Sequence, residues 1–189
     1  MFSISGIIFL LFFPACLSVL REVIWGQELT HQLLYLGMFL FCIEQASMAD
    51  LDLRQIASAR KQVEDIHLNT FYTITIVTIF IELLGFYAAP ISFGGGSILI
   101  LLSQVWFNLF ADIKINLLAE SIIQTWKVTE RFPVLIADII GLLLVSLWML
   151  HIGSLWITWL LFCMPILYCS IKLFLSFQSV LKCESEINL

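Results

Sequence analysis

Charged residues are scarce in this chain, and that scarcity limits what the chain can be. They make up 12% of its 189 residues, whereas hydrophobic residues make up 61%. A soluble domain has about 25% charged and about 45–50% apolar residues. The composition therefore excludes an ordinary soluble domain. It predicts an all-α, polytopic integral membrane protein in which residues 1–189 form a single membrane domain.

Basic residues are fewer than acidic ones, with nine Lys and Arg against 14 Asp and Glu and a formal net charge of -5. Nucleic-acid-binding proteins gather Lys and Arg into a basic patch or stripe, and this sequence contains no such cluster. We therefore exclude nucleic acid as a partner. The partners we expect are the lipid bilayer and either other membrane subunits or a second copy of the chain.

Cysteine pairs and catalytic motifs are also lacking. The five cysteines are odd in number, form no Cys-x-x-Cys and lie mostly within apolar runs, which argues against a disulfide framework or a zinc site. The sequence contains no phosphate-binding loop and no recognisable Ser-His-Asp set. We therefore expect no cofactor and no catalytic residues, and a membrane enzyme is the least favoured class of function.

Two Glu-x-x-His elements give a weak indication of a metal site. On a helix, Glu28 with His31 and Glu64 with His67 would each share one face, as in di-iron carboxylate proteins. Those proteins also need a glutamate from each of two further helices, and this sequence has none in the required order. We interpret both elements as chance occurrences and expect no metal site.

Long apolar runs are abundant, and six of them predict transmembrane helices, because about 20 apolar residues cross a bilayer. The predicted spans cover residues 4–20, 23–43, 71–89, 97–111, 134–150 and 155–177. The first span resembles a signal peptide in length but lacks a basic region before it. The second crosses unaided only if Val23–Trp25 also enter the membrane, so a re-entrant or interfacial segment is the alternative.

Lys and Arg are distributed unevenly between the two sides of the predicted bundle, and cytoplasmic loops normally carry the excess of such residues. With six spans, one side carries Arg21. The other side carries Arg54, Arg60, Lys61, Lys127, Arg131 and Lys182. This asymmetry predicts that both termini are cytoplasmic, whereas a five-span arrangement would move the N terminus alone to the opposite side.

Residues 46–68 are predicted to form a cytoplasmic amphipathic helix, because apolar residues recur at helical spacing among charged ones. This helix either extends the second span or lies on the bilayer surface. Charges of both signs surround its apolar stripe. We therefore interpret the charged face as a solvated surface, with a docking surface for a partner as the alternative.

Glu82 is the residue least expected inside a predicted span. It lies about 18 Å along the third span at about 1.5 Å per residue, past the middle of the hydrocarbon core. An ionised and unpaired carboxyl group there costs several kcal/mol, so Glu82 must be neutral, paired or hydrated. A residue of this kind is a candidate functional site by default.

The turn between the third and fourth spans predicts which residue lies opposite Glu82. Pro90 and the run of three glycines at 94–96 are typical of a tight turn, so the two spans form an antiparallel hairpin. In that hairpin Glu82 lies level with Gln104. An amide at this position can donate a hydrogen bond to the carboxyl group of Glu82.

The same register sets Thr78 level with Asn108 and Thr75 level with Asp112. Lipid would make both polar stripes costly, so they are expected to face each other or a shared cavity. Together with Glu82 and Gln104, these four residues form the predicted polar seam. The seam is a candidate ion or proton site, and interhelical hydrogen bonding without transport is the alternative.

Asp138 is a secondary candidate, because it lies close to the cytoplasmic edge of the fifth span. Lys114 lies near the same edge of the fourth span. An ion pair between the two side chains would neutralise both charges. The alternative is that Asp138 is an interfacial carboxylate with its own water.

Two classes of function follow from these features. A structural or assembly subunit of a larger membrane complex is favoured, because the chain is small and carries little mass outside its predicted spans. The alternative is a small ion- or proton-linked transporter or channel that uses the polar seam. The absence of a recognisable internal repeat counts against the transporter.

Overall fold

The computed structural model describes residues 4–26, 28–116, 121–153, 155–168 and 170–171, and it is helical apart from one short hairpin. Five helices are long and apolar enough to cross a membrane by length and composition, and a sixth is shorter. In chain order they are α1 Ile4–Trp25, α2 Leu29–Ala59, α3 Ile66–Ala88, α4 Phe93–Phe110, α5 Val128–Met149 and α6 Leu155–Tyr168. The predicted all-helical class is confirmed. Residues 172–177 of the predicted sixth span lie outside the described residues.

Most of the predicted second span and of the predicted amphipathic helix lies in one continuous helix, α2, of 31 residues. The predicted start of the second span at residue 23 is wrong, because residues 23–25 belong to the end of α1. At about 1.5 Å per residue the length of α2 is about 46 Å, more than the thickness of a hydrocarbon core. The sequence allowed the amphipathic segment either to extend the second span or to lie on the bilayer surface. In the structure it extends the second helix. The predicted end at residue 68 is wrong, because α2 ends at Ala59 and Ile66 begins α3.

N-terminal caps explain why α3 and α4 begin earlier than their apolar runs suggested. The Asp65 side chain accepts a hydrogen bond from the backbone N–H of His67 at 2.8 Å. The Ser92 side chain accepts one from Gly95 N–H at 3.2 Å. Each bond satisfies a donor that has no partner within the helix. Helix propagation therefore starts at the cap rather than at the first strongly apolar residue.

A two-stranded antiparallel hairpin joins α4 to α5, where the sequence had predicted a loop. Strand β1, Ile113–Ile115, pairs with β2, Ile123–Thr125, and Ile113 lies opposite Thr125. Ile113 is buried and packs into a cluster with Ile56 at the end of α2 and Phe71 in the first turns of α3. The alternation of isoleucine with polar residues on β1 is the signal that could have predicted a strand.

The first helix packs on α2 and on the second half of α3. Their shared apolar cluster includes Phe12 and Val19 from α1, Cys42 from α2, and Phe86 from α3. Tyr35 of α2 donates a hydrogen bond from its hydroxyl group to the carbonyl oxygen of Ala89 at 2.7 Å. This bond joins the start of α2 to the end of α3.

Two glycines allow α3 and α4 to approach each other closely. A Cβ atom built on Gly96 would lie 2.6 Å from both Ala89 Cα and the carbonyl oxygen of Gly85. A Cβ atom on Gly85 would lie 2.6 Å from Ile100 Cγ1. The backbones are therefore in direct contact, in the manner of helix pairs that place small residues at their interface.

Two other glycines lie at contacts between further pairs of helices. A Cβ atom on Gly37 of α2 would lie 3.6 Å from Pro165 Cγ of α6, which is an ordinary van der Waals distance. Gly141 of α5 faces Leu101 of α4. Residues of α2, α4, α5 and α6 together line a cavity.

Gly96→Ala is expected to destabilise the hairpin, because the new methyl group meets backbone atoms that cannot rotate away. Overpacking of this kind costs about 1–3 kcal/mol. Gly37→Ala is the matched control, since its methyl group has space and alanine favours a helix by about 0.5–1 kcal/mol. Thermal unfolding of the purified variants in mild detergent measures the difference. Equal melting temperatures for the two variants would contradict the close approach of α3 and α4.

Candidate functional site

Glu82 lies in the middle of a hydrogen-bonded contact between three helices. Its side chain is 3% exposed, and Gln104 of α4 donates a hydrogen bond from Nε2 to Glu82 Oε1. The same amide nitrogen donates to Gln45 Oε1 of α2 at 3.1 Å. The structure therefore places Gln104 opposite Glu82 and adds a third partner, Gln45, from a helix that the hairpin register did not include.

Gln45 connects this group of hydrogen bonds to one more side chain, that of Glu44. Its own amide nitrogen donates to Glu44 Oε2 at 2.8 Å. The two amides thus lie between two carboxyl groups, and each amide donates to one of them. Because amides supply the donors that carboxyl oxygens need, the side chains satisfy one another within the bundle.

The series of hydrogen bonds continues along α4 to Asn108 and from there to α5. Asn108 Nδ2 donates to the carbonyl oxygen of Gln104 at 2.9 Å and makes a longer contact with Asp138 Oδ2 at 3.4 Å. Asp138 is 9% exposed. One polar path therefore runs from Glu82 to Asp138 by way of Gln104 and Asn108, and it crosses from α3 to α5. We call these four side chains with Gln45 the polar path.

The sequence places Arg131 in a segment between spans, but in the structure it is a buried residue of a helix. It lies in the first turns of α5 and is 2% exposed. Its guanidinium group donates to the carbonyl oxygens of Asn108 at 2.6 Å and Trp126 at 2.9 Å. Asn108 is in the last turn of α4, where carbonyl oxygens lack helical partners and a cation is favoured. Arg131 therefore caps α4 from α5.

The suggested ion pair between Asp138 and Lys114 is not formed. Lys114 lies on β1 rather than on α4, and its Nζ is 3.1 Å from Glu130 Oε2. Asp138 instead faces Asn108 inside the bundle. The hairpin accounts for the difference, because it directs Lys114 toward the partly exposed start of α5.

Three residues of the predicted polar seam, Thr75, Thr78 and Asp112, are not joined across α3 and α4 by hydrogen bonds. Thr75 donates to the carbonyl oxygen of Phe71 in its own helix at 2.9 Å, and Thr78 Oγ1 is buried without a partner among the described residues. Asp112 is 51% exposed and lies 3.4 Å from His67 Nδ1. The level pairings of the two threonines with Asn108 and Asp112 therefore form no hydrogen bonds.

The two Glu-x-x-His elements do not have the helical geometry that a metal site of this kind needs. Glu28 is the residue before α2, and Glu64 lies in the turn before α3, so neither shares a helix with its histidine. The ring of His31 packs on Tyr35 with 4.5 Å between centroids. In the part of the chain that is described, no group of three His, Cys, Asp or Glu side chains is arranged to hold a metal ion.

A cavity of about 500 Å³ lies between α2, α4, α5 and α6, beside the polar path. Gln45, Gln104 and Asp138 form its polar wall, and the remaining wall is mostly apolar. Gln104 therefore has two roles, since it lines the cavity and donates to Glu82. Ligand pockets commonly have volumes of about 300–1,000 Å³, apolar walls and a few polar groups.

Two residues of this site were missed from the sequence. Gln45 was placed outside the second span, and nothing in a helical hairpin register predicts that α2 packs against α4 at that point. Arg131 was counted with the loop cations, although the Glu130-Arg131 pair immediately before an apolar run is a position where a helix often begins. Comparisons with protein families, with curated proteins and with solved structures found no match to this chain.

Glu82→Gln is expected to keep the fold, because an amide oxygen accepts the Gln104 hydrogen bond as a carboxyl oxygen does. Glu82→Leu is expected to destabilise the protein by about 1–3 kcal/mol, since it removes the acceptor of a buried donor. Thermal unfolding in detergent measures both changes, with exposed Glu64→Gln as the control. A Glu82→Gln variant as unstable as Glu82→Leu would show that the carboxyl group itself is required.

Proposed function

We propose that the chain is a six-span integral membrane protein with both termini on the cytoplasmic side. Five long apolar helices support this arrangement. So do the large apolar side chains on the outside of the bundle, such as Phe80 and Leu143, since a lipid-facing surface is apolar. Arg54, Arg60 and Lys127 lie at the end of the bundle that also holds the β hairpin, which is the cytoplasmic end by the positive-inside rule.

The orientation can be tested in sealed vesicles whose cytoplasmic face points outward. An epitope inserted after Glu64 is expected to bind antibody directly, because the turn between α2 and α3 is on the cytoplasmic side. An epitope inserted after Ile152 is expected to bind antibody only after detergent opens the vesicles. The reverse pattern would contradict the proposed orientation.

For function, we propose a small proton-linked membrane transporter that binds its solute in the cavity between α2, α4, α5 and α6. The observation that carries this proposal is the carboxyl group of Asp138 in the wall of a cavity of about 500 Å³. Carboxyl groups within membrane helices are costly and often mark ion and proton pathways. A purely structural helix bundle needs neither the cavity nor the carboxyl groups beside it.

The polar path suggests how the cavity and Glu82 are coupled. Gln104 has one amide nitrogen, and that nitrogen contacts both Glu82 and Gln45. A solute that competes for Gln104 in the cavity therefore changes the hydrogen bonding of Glu82 as well. In this proposal Asp138 binds a proton or the solute, and Glu82 responds through Gln104.

A structural or assembly role is the second candidate, and it is supported by a different part of the chain. The C-terminal part of α2 has an exposed face on which Leu51 lies beside the ion pair of Asp50 with Arg54. A mixed apolar and charged surface of this kind suits a protein partner. Stoichiometric co-isolation of other subunits in mild detergent would favour this role over transport.

Proton flux tests the proposed transport. The purified protein is reconstituted in vesicles that contain a pH-sensitive dye, and a potassium diffusion potential drives protons across the membrane. We expect proton flux above that of protein-free vesicles, and we expect Asp138→Asn to abolish it. Glu130→Gln is the matched control, because Glu130 is also on α5 but pairs with Lys114 at the surface. Flux equal to that of protein-free vesicles, or unchanged by Asp138→Asn, would overturn the proposal.

A further inference from the structure

The cavity between α2, α4, α5 and α6 has two chemically different ends. Gln104 and Asp138 lie toward one end, where the apolar Pro133 and Val134 also line the wall, whereas Phe93 of α4 and Val145 of α5 lie at the other. The seven residues from Asp138 to Val145 correspond to about 10 Å along a helix. The cavity is therefore shaped for a molecule with a polar head and an apolar body of about this length.

The polar end carries a carboxyl group that has no positive partner among the described residues. Asp138 has the long contact with Asn108, and among the described residues no Lys, Arg or His nitrogen lies within ion-pairing distance of it. Arg131 is two turns away on the same helix, but it donates to the carbonyl oxygens of Asn108 and Trp126. The other polar side chains of the described wall carry amides or hydroxyl groups, so within the described residues a cationic ligand meets no competing cation.

Two aromatic rings also line the cavity. Phe41 lies one turn before Gln45 on α2, and its ring meets the ring of Tyr168 on α6 at 6.4 Å between centroids and an interplanar angle of 74°. Both residues line the cavity. Aromatic faces attract ammonium groups, most strongly when water is excluded. Among the described residues that line the cavity none is basic, so an anion would meet the Asp138 carboxyl group without a positive partner.

We propose that this cavity binds an amphiphilic organic ammonium, with its nitrogen at Asp138 and its apolar body toward Phe93. This inference rests on the proposed function for the use of the cavity as a solute site, and it names the class of solute. The charge selects an ammonium group over an alcohol or an acid. The volume of about 500 Å³ suits a body the size of one aromatic ring with a short alkyl chain.

A matched series of three ligands tests the charge requirement on the unaltered protein. 4-Phenylbutylammonium, 4-phenylbutanol and 4-phenylbutyrate have the same apolar body, with a positive, a neutral and a negative head. Binding is measured by calorimetry with the protein in lipid nanodiscs, and protein-free nanodiscs provide the partition background. We expect the ammonium to bind at least about tenfold more tightly than the alcohol, as a charge-assisted hydrogen bond implies. Equal affinity for the ammonium and the alcohol would overturn the inference.

Variants of the protein test the position of the head group. Asp138→Asn is expected to lower ammonium affinity about tenfold or more and to leave alcohol affinity unchanged, whereas Asp138→Glu keeps the preference for the ammonium. Glu130→Gln is the control at the surface of the same helix. Because binding is measured at equilibrium, ammonium selectivity without proton flux would sustain this inference and overturn the proposed transport. Proton flux without ammonium selectivity would overturn this inference alone.

Discussion

The hydrogen bonds of the Gln104 amide are the interaction on which the interior of this protein depends. One nitrogen connects Glu82 of α3 with Gln45 of α2, and it projects from α4. Without that nitrogen, the buried Glu82 carboxyl group and the Gln45 amide oxygen would each lose a hydrogen-bond donor, which is costly in an apolar interior. These bonds therefore restrict the register of three helices in addition to apolar packing, because hydrogen bonds are directional and apolar contacts are not.

Other features of the fold keep Gln104 in position. Gly85 and Gly96 bring the backbones of α3 and α4 into contact near the turn, and Arg131 caps the far end of α4 from α5. The helix that carries Gln104 is thus held at both ends. The side of α4 that faces away from α3 is then available to the cavity, where Gln104 and Asp138 form the polar wall.

How much of this could be predicted from the sequence depends on distance along the chain. The helical class follows from long apolar runs, and a short turn sets which residues of α3 and α4 lie level, so Gln104 could be placed opposite Glu82. Level residues do not have to face each other, however, and the threonines of α3 instead turn to their own helix or stay unpartnered. Contacts between helices far apart in sequence, such as Gln45 with Gln104, and the burial of Arg131 depend on tertiary packing that no local pattern encodes.

A double-mutant cycle between Glu82 and Gln104 tests the central interaction most directly. The stabilities of Glu82→Leu, Gln104→Leu and the double variant are measured by unfolding in the same lipid or detergent, and the coupling free energy is the part that is not additive. We predict a favourable coupling of about 0.6–1.7 kcal/mol, the range found for side-chain hydrogen bonds between membrane helices. Additive effects, with no coupling, would contradict the view that Gln104 joins α3 to the rest of the bundle through Glu82.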